Sequence, residues 1–540
     1  MRKFNARILC LVAALALSAS VAACGSSDKA ASSDSSTAAG TAANSTAAAT
    51  ASDSKKAADL EPVELQFYMV GDAPKDLEKL ASKVNDLAQK DMNATVKFNY
   101  TSWTDFNTKY NLLLSTGEPI DLIYTASWLD YAKLAKKGAF KPLNDLLPEY
   151  APDLNKFIPE DYWNQVKIND KIYTIPATWK EYTSNGFEYR KDLQEKFNLP
   201  EPNSLENVEK YLEGVKKNMP TQILTNEFVG AGPLSWSFSA FQILEMKYSW
   251  VNFGSPYGLV ADYATPSEIK PYWGTPEFIE DMKMFKRWAD KGFWSRSALS
   301  TKADMSAFNN GKTIAVMQGQ NANKYGGDLT SARTAHPDWK IGYIPYARIN
   351  GVAQVAHATQ NGYAIPASAR NPERALMFYQ KLVLDKTYNQ LTEYGIEGEH
   401  YTVKDGYYEP VGDTTKSGFG REGMGGWAWR NEQFMLYPKD FDSVKAVFGE
   451  FDKIAQAQPK YKGINIFDGF AEDYTPYQSE RAALGTVMTQ YLAPLEAGLV
   501  PDVEKAVNIF MEKAKAAGLD KIQAEYTKQW KEYCEKYNYK

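Results

Sequence analysis

Apolar and polar residues alternate from Val63 to Met69, with Val63, Leu65, Phe67 and Met69 on one side and Glu64, Gln66 and Tyr68 on the other. A period of two over this length predicts a strand with one buried face. Gly71-Asp72-Ala73-Pro74 breaks it, and Leu77, Leu80, Val84 and Leu87 then recur at helical spacing within 76–90. The pattern continues with a strand over 95–100, a helix through 110–114 and a strand over 121–125. This β-α-β-α-β order predicts an α/β lobe built on a mostly parallel sheet. Ligands of such sheets bind at the carboxyl ends of the strands, and here those ends carry Asp72, Trp103 and Trp128.

The segment 171–176 reads as extended and stops at Pro176, with Trp179 just beyond. The pattern restarts at 185–190, which marks the crossing into a second lobe. Phe278, Met282, Phe285 and Trp288 share one face of a helix over 277–291. Strands are predicted at 313–317 and 362–365, and helix dominates to the end, with Gly518 dividing 503–537. About 480 residues follow Leu60, too many for one core, so two lobes are expected.

The first 60 residues have a different character. Arg2, Lys3 and Arg7 precede an apolar run from Ile8 to Ala19, and Val21-Ala22-Ala23-Cys24 closes it. That is the layout of a secretory signal peptide over 1–23, and the run is short for a membrane span. The small-small-Cys ending resembles a bacterial lipobox, which implies that Cys24 becomes the lipidated first residue of a protein held at the outer face of the cell membrane. From Gly25 to Asp59 there is no aromatic or branched aliphatic residue, so 24–60 is a linker unable to bury a core.

Composition narrows the chemistry. Removing the leader's three positive charges takes the formal charge from −5 to about −8, and no basic run argues for nucleic-acid binding. Three cysteines, two of them in the leader and its junction, leave Cys534 alone, so no disulfide framework is available. His336, His357 and His400 are far apart and stand in no ligand spacing, which leaves little material for a metal site. Neither a cofactor nor a metal is expected. Gly311-Lys312-Thr313 lacks the earlier glycine of a phosphate loop, Ser306 standing in its place, and is read as a tight turn.

Four stretches in order resemble the extracellular solute-binding proteins that feed sugars to ABC importers: 117–122 (Gly-Glu-Pro-Ile-Asp-Leu), 171–176 (Lys-Ile-Tyr-Thr-Ile-Pro), 308–317 and 361–375. Two later stretches, 394–401 and 517–525, resemble the DUF3502 domain of a Firmicute branch of that family. The resemblance implies a two-lobed α/β fold of the periplasmic-binding-protein type II class, with a hinge, an interlobe ligand cleft and a helix-rich C-terminal region. It places the solute-binding domain at 61–540, with lobe 1 over 61–172 and 350–400 and lobe 2 over 173–349 and 401–540. It also implies an oligosaccharide ligand, a permease partner, a monomer and no enzymatic activity.

A sugar cleft needs flat apolar faces for ring C–H groups and planar polar groups for hydroxyls. Trp288 and Trp530 fall on apolar helix faces and are assigned to the core. The loop tryptophans Trp103, Trp128, Trp179, Trp236, Trp273, Trp427 and Trp429 are the candidate ligand faces. Asp72, Glu181, Gln318, Asn321 and Arg430 are the candidate polar contacts. Other readings are a secreted glycoside hydrolase, a receptor for a peptide or other solute, and a binding protein that signals through a membrane kinase. Cys24→Ala is expected to release the protein from the membrane fraction while its isolated domain still binds ligand; fractionation and immunoblotting check this.

Overall fold

The computed structural model describes residues 60–540 apart from 103–104, 230–237, 252–255, 302–303, 305, 413–418, 421–422, 459–460 and 462. The chain opens with β1 (Val63–Val70), α1 (Leu77–Met92), β2 (Ala94–Thr101), α2 (Phe106–Thr116) and β3 (Leu122–Thr125), and β1 pairs in parallel with both β2 and β3. Leu65, Phe67 and Met69 are buried, as the alternation predicts, and α1 buries Leu80, Val84, Ala88 and Met92. After α3 (Tyr131–Lys136), α4 (Glu160–Val166) and the short β4 (Ile175–Pro176), the chain leaves this sheet.

A second, antiparallel sheet then forms from β5 (Asn185–Arg190), β6 (Ala315–Asn321) and β7 (Ile341–Pro345), in the order β6-β5-β7. The helix α5 (Pro276–Asp290) precedes β6, and α6 (Ala322–Ala335) follows it directly. The strand predicted at 313–317 begins two residues later and continues to Asn321, because Gly319, at φ +81°, lets it pass through an irregularity between Val316 and Gln320. With β8 (Gly362–Ala364) the chain re-enters the first sheet, antiparallel between β3 and β4, giving the order β2-β1-β3-β8-β4. Four long helices complete the fold: α7 (Pro372–Leu384), α8 (Phe441–Gln456), α9 (Val503–Ala516) and α10 (Leu519–Lys536). Gly518, at φ +98°, turns the chain between the last two, and Trp288 and Trp530 lie in the core. No described helix is long and apolar enough to cross a membrane.

Each sheet has its own core. The first takes residues from 65–175 and 358–388, and also Phe419, Met424, Ala428 and Trp429. The second and a smaller neighbour take residues from 182–353 and from 441 onward. The expected division at 400 therefore moves: Trp429 packs on Phe67 and Tyr363 of the first sheet at 5.8 and 5.7 Å, so the last crossing falls between Trp429 and Phe441. The resumption of lobe 1 moves likewise from 350 to about 358, since Val352 and Ala353 belong to the cores of the second lobe.

Asp121 holds the first lobe at the point where three elements meet. Its carboxylate accepts the Gln66 N–H of β1 and the Asn371 N–H at the start of α7, both at 2.9 Å, and the side chain is almost fully buried. Charge-assisted bonds to buried backbone donors are the stronger kind. Asp121→Ala is expected to cost about 2–4 kcal/mol, read as a shift of the urea midpoint.

In the second lobe three carboxyls are buried, each with few polar contacts. Glu227 accepts from Ser239 Oγ at 2.5 Å, Glu245 from Asn185 Nδ2 at 3.1 Å and Glu496 from the Phe238 N–H at 2.8 Å. Burial pushes them up to about 7, about 7 and about 8 respectively, against weaker lowering by these bonds. A raised carboxyl binds its proton in the folded chain at pH values where the unfolded chain has released it, so the stabilisation is complete below about pH 4.5 and is lost as pH rises through 7–8. His357, pushed down to about 4 by burial, opposes this only below about pH 6.5. The melting temperature is therefore expected to fall from pH 6.5 to 8.5, and Glu496→Gln to flatten that fall, in scanning fluorimetry across the range.

Candidate functional site

The lobes meet along two antiparallel crossings. Residues 177–184 leave β4 for β5, and 353–361 return to β8. Ala177 N–H donates to Asn361 O at 2.9 Å, Thr183 N–H to Gln354 O at 2.8 Å and Ala356 N–H to Glu181 O at 2.8 Å. The third crossing brings in Trp427 and Arg430. Trp179, Glu181, Trp427 and Arg430 thus line one space, together with Tyr162, His357, Gln360 and Asn361.

Its centre is Arg430. The guanidinium lies over the Trp179 ring at 4.7 Å, and Nη1 stands 3.6 Å from Glu181 Oε2. The Arg430 side chain is only 6% exposed and that of Glu181 16%, so each charge is kept mainly by the other. Asn323, on the first turn of α6, approaches Glu181 Oε1 through Nδ2 at 3.4 Å. Two acceptors at this site, Asn323 Oδ1 and Gln360 Oε1, are buried with no hydrogen-bond partner among the described residues. Near them Asp468 of the C-terminal region is pushed up to about 7, chiefly by burial and further by the Glu181 charge.

An aromatic row continues from this space across the first lobe. Trp427 meets Tyr124 at 6.0 Å, Tyr124 meets Trp128 at 5.9 Å, and Trp128 meets Phe106 at 5.8 Å. Tyr124 is buried and donates to Asn361 Oδ1, whereas Trp128 is 44% exposed and held by its Nε1–H on Gln360 O at 3.1 Å. On the far side Trp179 touches Phe448 of α8 at 6.2 Å.

The remaining candidates lie elsewhere. Asp72 is exposed just beyond β1. Trp103 and Trp236 lie outside the described residues, as does Cys24. Trp273 is not ligand-facing: it is buried against Phe510 at 5.1 Å, with Gly258 under its ring. Trp429 is core, its Nε1–H donating to Thr392 Oγ1 at 3.1 Å. Gln318 lies with Asn226, Glu227 and Asp304 on another part of the second lobe. Asn321 caps α6, accepting the Lys324 N–H at 2.9 Å, so the residue presented to Glu181 is Asn323, two positions on. Asn323, His357, Gln360 and Tyr124 carry no sequence signal beyond their type.

The model for the bacterial extracellular solute-binding proteins matches residues 83–398, more than half of the chain, and a domain of unknown function (DUF3502) matches 466–535. A carbohydrate ABC transporter substrate-binding protein of Streptococcus pneumoniae is 24% identical over 479 residues, covering 87% of this chain and 90% of the relative. The lipoprotein LipO of Bacillus subtilis is 22% identical over 385 residues, covering 67% of this chain and 74% of the relative. The solved N-glycan transport solute-binding protein NgtS of Streptococcus pneumoniae shares the fold with a TM-score of 0.66 at 21% identity, covering 88% of this chain and 99% of that one.

Proposed function

This chain belongs to the bacterial extracellular solute-binding proteins, and on that premise we propose that it captures an oligosaccharide between its lobes and delivers it to an ABC importer permease. The observation that carries the reading is the space where both lobes and the crossings converge. There Trp179 and Trp427 offer ring faces, while Glu181, Arg430, Asn323 and Gln360 offer the polar groups that sugar hydroxyls need. Sugar hydroxyls can donate to Gln360 Oε1 and to Asn323 Oδ1 and accept from the Arg430 guanidinium. The relatives named as a carbohydrate ABC transporter substrate-binding protein and as a lipoprotein support the ligand class, the permease partner and the lipid anchor at Cys24.

In this structure the space holds only about 10 Å³, room for about one water molecule. A ligand therefore enters when the lobes part, and its contacts to both sides favour the closed form, which a permease recognises as the loaded state. The reading involves binding without turnover.

Calorimetry of the mature domain against manno-, chito- and fructo-oligosaccharides tests it, with product analysis after prolonged incubation. Saturable binding without hydrolysis is expected; hydrolysis abolished by Glu181→Gln would instead make the protein an enzyme, and binding only of a peptide would change the ligand class. Trp427→Ala is expected to weaken binding by at least tenfold, about 1.4 kcal/mol or more, measured below the onset of unfolding because the indole also packs on Tyr124 and its loss lowers the melting temperature.

A further inference from the structure

A second space lies between the first lobe and the C-terminal region matched by DUF3502. One chamber, of about 200 Å³, is lined by Trp128 and Lys133 from the first lobe and by Phe470, Tyr474 and Tyr526 from the other side. It runs into a chamber of about 450 Å³ beside α10, the two sharing Ala132, Ile168, Gly469, Phe470, Ala471 and Tyr537. Together they form one groove. Its walls are held by their own contacts: Lys133 Nζ lies over the Tyr474 ring at 4.0 Å and also bonds its hydroxyl, while the Arg481 guanidinium lies 4.5 Å from the same ring. Arg481 Nε–H donates to Tyr257 Oη at 2.8 Å, and Tyr257 and Tyr477 both donate to Glu472 Oε1, at 2.5 and 2.9 Å.

Trp128 lines the groove and is bonded through its Nε1–H to the carbonyl of Gln360, a residue of the cleft. It ends the aromatic row that begins at Trp427, and the two indole rings lie within about 12 Å of each other across Tyr124. Its exposed ring edge lines the groove. Aromatic faces beside charges of both signs, those around Tyr474 already engaged within the protein, suit a hydroxyl-rich chain better than an apolar ligand.

We propose that this groove is the second half of the binding site, holding the distal residues of an oligosaccharide whose other end lies against Trp427 and Trp179, so that the C-terminal region selects ligand length. The proposal rests on the sugar-binding reading above and adds a length requirement to it. Ala132 of α3 is the place to block the groove without touching Trp427, Trp179 or Arg430.

Calorimetry compares the disaccharide and hexasaccharide of the manno-, chito- and fructo-oligosaccharide series on the wild-type domain, on Ala132→Trp, which fills the groove, and on Tyr537→Ser, which opens it. The expected result is a hexasaccharide bound at least tenfold more tightly than its disaccharide, an advantage lost in Ala132→Trp and reduced in Tyr537→Ser, with disaccharide affinity unchanged in both. Hydrogen exchange is expected to slow at 131–137 and 467–474 with hexasaccharide only. Equal wild-type affinity for both lengths, or equal weakening of both by the variants, overturns the groove and leaves the cleft standing. If no sugar of any series binds, the cleft reading falls and the groove with it.

Discussion

The pairing of the two crossing segments, 177–184 against 353–361, is the constraint on which the site depends. These strands are at once the covalent link between lobes and the floor of the space between them. Val355 is also bonded on its other side to the C-terminal region, donating to Gly463 O at 2.5 Å and accepting from Asn465 N–H at 2.7 Å. The C-terminal region is therefore fastened to the crossings and not merely to the second lobe. Any rotation of the lobes is shared between this ribbon and the third crossing after Trp429, and Glu181 and His357 lie on the ribbon itself. A ligand seated on the ribbon reads the state of both lobes through one set of contacts, which is what a capture-and-deliver cycle requires.

The electrostatics of the space follow from the same geometry. Burying Arg430 and Glu181 costs desolvation on both, and a separation of 3.6 Å recovers only part of it. The Trp179 face under the guanidinium and the Asn323 amide at Glu181 add to that recovery. Such a pair is poorly justified as a source of stability, because an apolar pair of similar volume would pack without the desolvation cost. It makes sense as a polar surface waiting for further hydrogen bonds. The buried Asp468 stands in the same relation to the cleft: its carboxyl is held back from ionising by burial and by Glu181, and its backbone carbonyl accepts from Thr359 Oγ1 at 3.2 Å, tying the C-terminal region to the returning crossing.

Periodicity made the first lobe legible from Val63 to Thr125, because each strand there has one buried face and each helix one apolar stripe. The second lobe was less so. β6 carries a glycine irregularity that shifts its end by several residues, and no local pattern announces that the chain crosses back after Trp429 and not at 400. Four of the site candidates converge, and each of them is close to a crossing, although Trp429, equally close, turns into the core. The misplaced tryptophans share a different physics. Gly425-Gly426 and Pro271-Tyr272 read as loop, yet a loop can fold its indole inward: Trp429 finds Thr392 for its N–H, and Trp273 finds the bare backbone of Gly258. Loop composition describes the backbone and is silent on where the ring goes. Gln360 and His357 could not be singled out at all, since their position is set by strand pairing between segments more than 170 residues apart.

The residues of the site differ from these two tryptophans in how they meet the local rules of stability. Trp429 and Trp273 bury the whole ring, and Trp429 satisfies its one donor as well, the arrangement expected of a tryptophan that only stabilises the fold. Trp128 satisfies its donor and still leaves 44% of its surface to solvent, forgoing the burial that the same side chain would gain a few ångströms deeper. Gln360 and Asn323 each bury an acceptor without using it, at a cost of the order of 1–3 kcal/mol apiece. Departures from local consistency collect at functional sites, where binding can compensate them. Among the described residues such departures also occur in the cores, at Glu188 and Tyr363, and at the site they fall on Asn323 of α6, on Gln360 of the returning crossing and on Trp128. A ligand that reached Gln360, Asn323 and Trp128 would supply the missing hydrogen bonds and cover the exposed ring together, which is the physical sense of placing them beside the crossings.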